Sequence, residues 1–263
     1  MKFCSLYSGS SGNCIFVASD NAKVLIDAGL PGKKIDEALK HIGEEPGSID
    51  GIFITHEHSD HIKGVGVLSR KYDIPIYANE NTWLAMESNI GKIKEHNKII
   101  INRRSNTVIK DLDIKSFIIP HDAVAPVGYT LSSNGKNVSV VTDFGVFTEE
   151  IRDNIKDSEV ILIESNHDVN MLKMGPYPYA LKLRVLGEHG HLSNEDCGKA
   201  IVDVLRFGLK KTIVLGHLSN TNNHPDVAYQ TVLDVLSSNG INPGQDVFLS
   251  LANRHNPSEL ITL

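Results

Sequence analysis

The chain has 263 residues and a formal net charge of −6, from 26 lysines and arginines against 32 aspartates and glutamates. This acidic balance excludes a broad basic surface of the kind that binds nucleic acid non-specifically. Because no apolar run approaches the roughly 18 residues that span a bilayer, we expect a cytoplasmic protein without a membrane segment. Twelve histidines are the feature to explain, since imidazole is the commonest metal ligand.

The three cysteines are Cys4, Cys14 and Cys197. They are too few and too scattered for a disulfide framework, and no C-x-x-C pair suggests a structural zinc site. We therefore expect them to be buried small side chains in a reducing compartment.

The first half of the chain alternates apolar runs with helical patterns. Four runs predict strands, at residues 1–7, 14–19, 23–27 and 51–54. Three patterns predict helices, at residues 35–42, 62–71 and 79–90. Further β-rich runs fill residues 98–142, with a turn at Asn134 and Gly135.

The second half repeats this alternation. Strands are predicted at residues 160–164, 212–215 and 247–251, and helices at residues 193–205 and 229–236. Ser193 is the expected N-cap of the first of these helices. Because each half carries strands followed by helices, we predict two similar βα halves packed as one α/β domain over residues 1–263.

The strongest motif is Thr55-His56-Glu57-His58-Ser59-Asp60-His61, directly after the predicted strand 51–54. In an extended segment His56 and His58 point to the same side. If the chain turns into a helix at Asp60 and His61, the side chains of Asp60 and His61 can face a second metal position beside the one that His56 and His58 face. The pattern H-x-H-x-D-H therefore predicts four ligands that converge on two adjacent metal sites.

Three more candidate ligands follow apolar runs later in the chain, namely His121, Asp143 and His217. Each stands at the carboxyl end of a predicted strand, where α/β sheets place their sites. With the H-x-H-x-D-H motif they complete a set of six to seven ligands for two metal ions.

This series resembles the metallo-β-lactamase superfamily. Asp27, in Leu25-Ile26-Asp27-Ala28-Gly29, resembles the acid of that superfamily's first motif. The pattern spans the chain from Asp27 to His217. It implies the metallo-β-lactamase fold, a four-layer αβ/βα sandwich of the α/β (α+β) class with a dinuclear site at one edge.

The resemblance also implies how the ligands are shared. By this resemblance, one metal ion is held by His56, His58 and His121. The other is held by Asp60, His61 and His217. Asp143 would bridge the two ions, and Asp27 would orient a ligand histidine. A carboxylate-bridged pair with only nitrogen and oxygen ligands fits Zn²⁺ or Mn²⁺ and favours hydrolysis of phosphate esters or esters.

Two further segments are similar to the nuclease branch of the superfamily, which includes ribonuclease Z and ribonuclease J. Glu164 ends the predicted strand 160–164, and Gly190-His191-Leu192-Ser193-Asn194 precedes a predicted helix. In that branch the middle histidine contacts the scissile phosphate or protonates the leaving oxygen. The resemblance gives this role to His191, and we predict Asp60, His191 and Glu164 as catalytic residues. For Glu164 a supporting role is equally consistent with the sequence.

The loop Ser8-Gly9-Ser10-Ser11-Gly12-Asn13, with the motifs above and His217-Leu218-Ser219, most resembles the bacterial YycJ/WalJ group. That group is associated with metal-dependent 5′-to-3′ exonuclease activity on double-stranded DNA. We predict that Ser10, Ser11, Asn13 and Ser193 bind substrate phosphate, through backbone N–H groups of the loop and the start of a helix. A plain hairpin turn is the alternative for the loop.

The expected function is hydrolysis of phosphodiesters by a hydroxide that bridges two divalent ions. The expected partner is nucleic acid, with DNA preferred to RNA, and the sequence does not indicate an oligomeric state. One alternative is a small-molecule hydrolase, such as a lactonase, a thioesterase or a cyclic phosphodiesterase. A lesser alternative is a non-catalytic regulatory protein with the same fold, although such relatives typically lose ligands that are all present here.

Overall fold

The computed structural model describes residues 1–208 and 210–263, and the strands within them form two mixed sheets flanked by helices. The strands are β1 (Lys2–Tyr7), β2 (Cys14–Ala18), β3 (Lys23–Ile26), β4 (Gly51–Phe53), β5 (Ile76–Asn79), β6 (Lys98–Ile101), β7 (Asn106–Ile109), β8 (Leu112–Ile118), β9 (Val127–Ser133), β10 (Lys136–Val141), β11 (Val160–Glu164), β12 (Lys211–Gly216), β13 (Val247–Leu251) and β14 (Ile261–Thr262). The helices are α1 (Gly32–His41), α2 (Ser59–Ile62), α3 (Val65–Tyr72), α4 (Glu80–Ile90), α5 (Glu149–Ile155), α6 (Val169–Met174), α7 (Tyr179–Leu186), α8 (Asn194–Leu205) and α9 (Pro225–Ser238). None of these helices is long and apolar enough to span a membrane.

The chain divides into two compact units. The first unit comprises Met1–Ile118, Ala123–Lys136 and Asn253–Leu263, and the second comprises Ile119–Asp122 and Asn137–Ala252. The single domain over residues 1–263 stays a prediction, and each unit is described below by itself.

The first unit contains the sheet β14-β1-β2-β3-β4-β5-β6. Its first four strands pair antiparallel, whereas β3 to β6 pair parallel and alternate with helices. A cluster of buried side chains that includes Phe16, Leu25 and Ile52 forms the core of this unit. Because β3 and β4 are parallel neighbours, the segments that carry Asp27 and His56 leave the sheet at the same edge. The unit also holds the antiparallel ladder β7-β8-β9.

The second unit contains the parallel strands β10, β11, β12 and β13, which pair in that order. Strand β11 is buried along its whole length, as its unbroken apolar sequence Val160-Ile161-Leu162-Ile163 predicts. Helices α8 and α9 follow β11 and β12 along the chain. The three polar segments after β10, β11 and β12 therefore leave adjacent strands at their carboxyl ends.

The helix predicted at residues 62–71 is two helices in the structure. Helix α2 ends at Ile62, and α3 begins at Val65 after Gly64. A Cβ atom at Gly64 would lie 2.2 Å from the carbonyl oxygen of Leu30, so glycine allows a close backbone contact where the chain bends. Helix α9 begins four residues earlier than predicted, because Pro225 occupies its first turn behind the N-cap His224.

Candidate metal centre

The motif Thr55–His61 begins one residue after the end of β4 and turns into α2. Helix α2 carries Asp60 and His61 on its only full turn, and His58 is its N-cap. His56 and His61 are fully buried, and their ring centroids lie 4.0 Å apart. The rings of His56 and His58 lie 4.6 Å apart, and Oδ2 of Asp60 lies 3.6 Å from Nε2 of His61. Four of the seven predicted ligands are therefore clustered within the first unit.

Asp27 contacts a predicted ligand directly. Its Oδ2 lies 2.7 Å from Nδ1 of His61. Its two carboxylate oxygens also accept hydrogen bonds from the backbone N–H and the hydroxyl of Thr55, at 2.8 and 2.7 Å. When Nδ1–H of His61 donates to Asp27, Nε2 of His61 is left with the lone pair that a metal ion requires.

The backbone after Asp27 positions the ligand loop. The N–H of Ala28 donates to the carbonyl of His61 at 2.8 Å. A Cβ atom at Gly29 would lie only 1.6 Å from the carbonyl oxygen of Asp60, so only glycine fits there. Asn13 contributes from the other side, because its N–H donates to the carbonyl of Asp60 at 2.8 Å.

The three residues of the Ser8–Asn13 loop that are predicted to contact phosphate differ in burial. Ser10 and Ser11 are exposed. Asn13 is buried, its Oδ1 accepts from the N–H of Gly9, and its Nδ2 lies 3.1 Å from Nε2 of His61. The side chain of Asn13 therefore contacts the ligand loop, while the role of Ser10 and Ser11 toward substrate stays a prediction.

In the second unit, Asp143 and His217 follow β10 and β12, and Glu164 is the last residue of β11. Together with His191 they form a cluster in which one nitrogen or oxygen atom of each residue lies within 4.8 Å of the others. Oδ1 of Asp143 lies 3.4 Å from Nδ1 of His217 and 3.7 Å from Nδ1 of His191. Nε2 of His121 lies 3.8 Å from the same oxygen, so the remaining predicted ligands also converge.

Glu164 lies at the centre of this second cluster and is completely buried. Its Oε1 lies 2.8 Å from Nδ1 of both His191 and His217. Its Oε2 accepts hydrogen bonds from the backbone N–H groups of Phe144 and Leu192. Burial alone would raise the pKa of Glu164, but His191 and His217 outweigh it and lower the pKa to about 2.

His191 and His121, which both lie near Asp143, differ in exposure and in pKa. The side chain of His191 is 21% exposed, and its pKa is raised because Glu164 and Asp143 outweigh the effect of burial. His121 is buried, and burial lowers its pKa. Nδ1 of His121 lies 3.2 Å from the carbonyl of Gly190, which leaves Nε2 on the side of Asp143.

Three predicted site residues have left-handed backbone conformations. The φ angles are 60° at Asp27, 61° at Asp143 and 54° at His217. Such angles are uncommon outside glycine and cluster at functional sites, where the surrounding structure holds them. At His217 this support comes from Asn166, whose Nδ2 donates to the carbonyl of His217 at 2.9 Å. The N–H of Ser219 in turn donates to the carbonyl of Asn166 at 2.7 Å.

Ser193 is the N-cap of α8, as predicted. Its Oγ accepts from the N–H of Asp196 at 3.1 Å and donates to the carboxylate of Asp196 at 2.8 Å. The residue is buried, and two acids, Glu195 and Asp196, stand in the first turn of the helix. Its role toward a substrate phosphate stays a prediction.

Sequence reasoning did not assign a role to Thr55 or Asn166. Both lie inside motifs that the sequence does show, one residue before His56 and two residues after Glu164. A buried threonine beside a ligand histidine and an asparagine after a strand are consistent with many local arrangements. Only the contacts with Asp27 and His217 reveal that they position the candidate ligands.

The donor atoms in both units are imidazole nitrogens and carboxylate oxygens. Two of the candidate ligand histidines, His61 and His217, are held by neighbouring carboxylates, as metal-binding histidines often are. The cysteines at positions 4, 14 and 197 are absent from these clusters. Such a donor set fits a divalent ion such as Zn²⁺ or Mn²⁺ better than one that prefers thiolates.

Comparison with known proteins agrees with this geometry. The model of the metallo-beta-lactamase superfamily matches residues 7–217, and the chain belongs to this superfamily. It is 42% identical over 245 residues to the exodeoxyribonuclease YycJ of Bacillus anthracis, covering 93% of this chain and 92% of that protein. It is 43% identical over 247 residues to the exodeoxyribonuclease WalJ of Streptococcus pneumoniae serotype 2, covering 93% and 91%.

A solved structure supports the fold. The metallo-beta-lactamase fold protein YhfI from Bacillus subtilis superposes with a TM-score of 0.71 at 13% identity, covering 98% of each chain. The predicted fold class is therefore confirmed, as is the expectation of an enzyme, a metal-dependent hydrolase of this superfamily.

Proposed function

We propose that this protein is a nuclease that removes nucleotides from DNA, with 5′-to-3′ polarity on double-stranded substrates. The observation that carries the proposal is the Glu164–His191 pair at 2.8 Å, next to the carboxylate of Asp143. An oriented and partly exposed histidine beside candidate metal ligands is suited to protonate the leaving oxygen of a phosphodiester. The similarity to two proteins named exodeoxyribonucleases, over 93% of the chain, supports DNA as the substrate.

The proposal includes two divalent ions, Zn²⁺ or Mn²⁺, held by the ligands that the superfamily pattern implies. These are His56, His58, Asp60, His61, His121, Asp143 and His217. Bound divalent ions lower the pKa of water and neutralise the charge that develops on a phosphodiester. Asp27 and Glu164 support this role, since each contacts Nδ1 of a ligand histidine and leaves its Nε2 as donor.

His191 supplies the proton in this mechanism. Its Nδ1–H donates to Glu164, and this buried carboxylate orients the ring and stabilises its protonated form. The proton on Nε2 passes to the leaving oxygen as the bond from phosphorus to that oxygen breaks. Asp60, which is only partly buried, orients the attacking water.

The proposal is tested with a panel of single- and double-stranded DNA and RNA, with and without a 5′-phosphate, in Mn²⁺ or Zn²⁺. We expect stepwise release of nucleotides from 5′ ends of duplex DNA. Asp60→Ala should lower this activity by about 100-fold or more with the fold intact. Asp226→Ala is the matched control, because Asp226 also lies in the first turn of a helix but is exposed.

Two outcomes contradict the proposal. Full activity of Asp60→Ala would show that Asp60 has no role in the mechanism. If the protein cleaves no nucleic acid, the proposed nuclease function is wrong. His191→Ala distinguishes a nuclease from a small-molecule hydrolase. In a nuclease it should lower the rate of DNA cleavage far more than the rate of cleavage of an aryl phosphodiester, whose good leaving group needs no acid. Equal losses on both substrates would contradict the role of His191 as acid.

A further inference from the structure

The segment formed by α6, α7 and their connection, residues 169–186, exposes a concentration of apolar side chains. Met174 is 88% exposed, Tyr179 76%, Leu183 52% and Leu186 40%. Scattered exposed apolar residues are normal, whereas four large ones within one short segment favour an interaction site. We call this stretch the α6–α7 segment.

The charge of the α6–α7 segment is opposite to that of the chain. It contains Lys173, Lys182 and Arg184 and no aspartate or glutamate, whereas the whole chain has a net charge of −6. Lys173 is exposed, and Nζ of Lys182 donates to the backbone carbonyl of Lys173 at 2.7 Å, which ties α7 to the end of α6. A basic and apolar surface on an acidic protein favours a polyanion that also offers apolar faces.

The α6–α7 segment is attached by its backbone to the candidate metal centre of the second unit. The N–H of His191 donates to the carbonyl of Val185 in the last turn of α7, at 3.0 Å. A Cβ atom at Gly190 would lie 2.2 Å from the carbonyl oxygen of Arg184, so the two stretches touch. The guanidinium of Arg184 also pairs with Asp122, which follows His121.

A ligand that extends along α7 to its last turn would therefore reach His191, the residue proposed to act on the phosphodiester. The end of a DNA duplex has the matching chemistry, with phosphates for the lysines and the flat face of the terminal base pair for the apolar side chains. Proteins that open or kink a duplex use apolar side chains against base steps in this way. Tyrosine also stacks on bases without regard to their sequence.

We infer that the α6–α7 segment binds the end of a DNA duplex, with Met174 and Tyr179 packed against the terminal base pair and Lys173 and Lys182 near the backbone phosphates. The inference rests on the proposed nuclease function and extends it to the substrate. Stacking on these side chains replaces part of the stacking lost when the terminal pair opens, so that one strand reaches His191. Duplex ends are thereby distinguished from ends that are already unpaired.

The test compares a blunt duplex with the same duplex carrying a short unpaired 5′ end, using the metal-loaded enzyme. In Met174→Ala/Tyr179→Ala, the ratio of kcat/KM on the blunt duplex to kcat/KM on the unpaired end should fall about tenfold or more. Leu84→Ala/Phe248→Ala is the matched control, because these residues are 67% and 54% exposed on α4 and β13. The control should leave the ratio within twofold of the parent value.

Binding provides a second readout that does not depend on catalysis. In EDTA, fluorescence anisotropy with a blunt DNA hairpin should show about tenfold weaker binding for the double variant. Lys173→Gln should weaken binding of every sequence alike and reduce the slope of log K against log salt by about one. A variant that loses its far-UV circular dichroism is replaced by Tyr179→Ala alone, which removes a side chain that is mostly in solvent.

An unchanged ratio together with unchanged hairpin binding overturns the inference. It is also overturned if the parent protein is a dimer that the double variant converts to monomer, or if the variant instead loses binding to phosphatidylglycerol vesicles. A parent protein that cleaves no nucleic acid, yet binds the blunt hairpin through Met174 and Tyr179, supports the inference and contradicts the proposed function. If the parent cleaves both substrates and the double variant keeps the parent's ratio and hairpin binding, the proposed function is supported and the inference is contradicted.

Discussion

Oε1 of Glu164 lies 2.8 Å from Nδ1 of His217. The same oxygen lies 2.8 Å from Nδ1 of His191, so one buried carboxylate orients two imidazoles. One of these histidines is a proposed metal ligand and the other the proposed acid. Under the proposed function, this single side chain would couple metal binding to proton transfer.

We expect Glu164→Gln to impair both functions at once. A neutral amide accepts hydrogen bonds more weakly than a carboxylate and no longer stabilises protonated His191. Metal affinity should fall about tenfold, as for other partners of metal-binding histidines, and kcat about 100-fold. Metal titration and steady-state kinetics measure the two effects, with the exposed Glu195→Gln as control. Parent values for both quantities would show that the carboxylate has no role beyond packing.

We expect Asp27→Asn to weaken metal binding by about 10- to 100-fold, because Asp27 fixes the ring of His61. Asparagine tolerates the left-handed backbone at this position, so the fold should survive. Asp73→Asn is a matched control, since Asp73 has nearly the same φ, 59°, and caps the end of α3. Metal competition with a chromophoric chelator measures the affinities. Equal metal affinities of the two variants would show that Asp27 does not contribute to metal binding.

We expect Asn166→Ala to destabilise the protein by about 1 to 3 kcal/mol, because it removes a buried hydrogen bond to the carbonyl of His217. The metal content of the purified protein should fall as well, since His217 depends on that bond for its left-handed conformation. Asn239→Ala is the control, because the Asn239 amide also donates to a carbonyl, that of Val235, but in solvent. Denaturant unfolding measures the change in stability, and elemental analysis measures the metal content. A metal content equal to that of the control would contradict the positioning role.

Glu44 should make folding pH-dependent at acidic pH. Its carboxylate is 2.6 Å from Lys23 and 3.0 Å from Lys2. Burial alone would raise the pKa of Glu44, but the two lysines outweigh it and lower the pKa below the ordinary value of about 4.5. The contribution of Glu44 is therefore complete above about pH 4.5 and is lost as the pH falls through the lowered folded-state pKa.

For Glu44→Gln we expect a loss of about 1 kcal/mol in the free energy of unfolding at pH 7. The difference from the parent should shrink as the pH falls from about 5 toward 3. Urea unfolding across this range measures it, with the exposed Glu37→Gln as control. A difference that stays constant with pH would mean that the ion pairs contribute nothing.

The local parts of the molecule could be predicted from the sequence. Strands β11 and β12 are short apolar runs, so Glu164 at the end of β11 and His217 directly after β12 stand at positions that the sequence indicates. Ser193 as N-cap of α8 is likewise a local pattern. These predictions succeed because the side chains at issue and the elements that carry them are close in the sequence.

The rest depends on contacts between distant segments. The division of residues 62–71 into two helices follows from the approach of Gly64 to Leu30, 34 positions away in the chain. The support of His217 by Asn166 joins residues 51 positions apart. The exposure of Met174 and Tyr179 cannot be read from their types, which are usually at least partly buried.

The buried cysteines have a consequence for how this protein can be followed in solution. Cys4 and Cys14 lie in the first unit and Cys197 in the second, and all three are free thiols. Burial raises the pKa of each, to about 11 for Cys4, so the reactive thiolate is scarce in the native state. Alkylation then proceeds only when the surroundings of a thiol open. Three natural residues thus act as built-in reporters of local unfolding, two for one unit and one for the other.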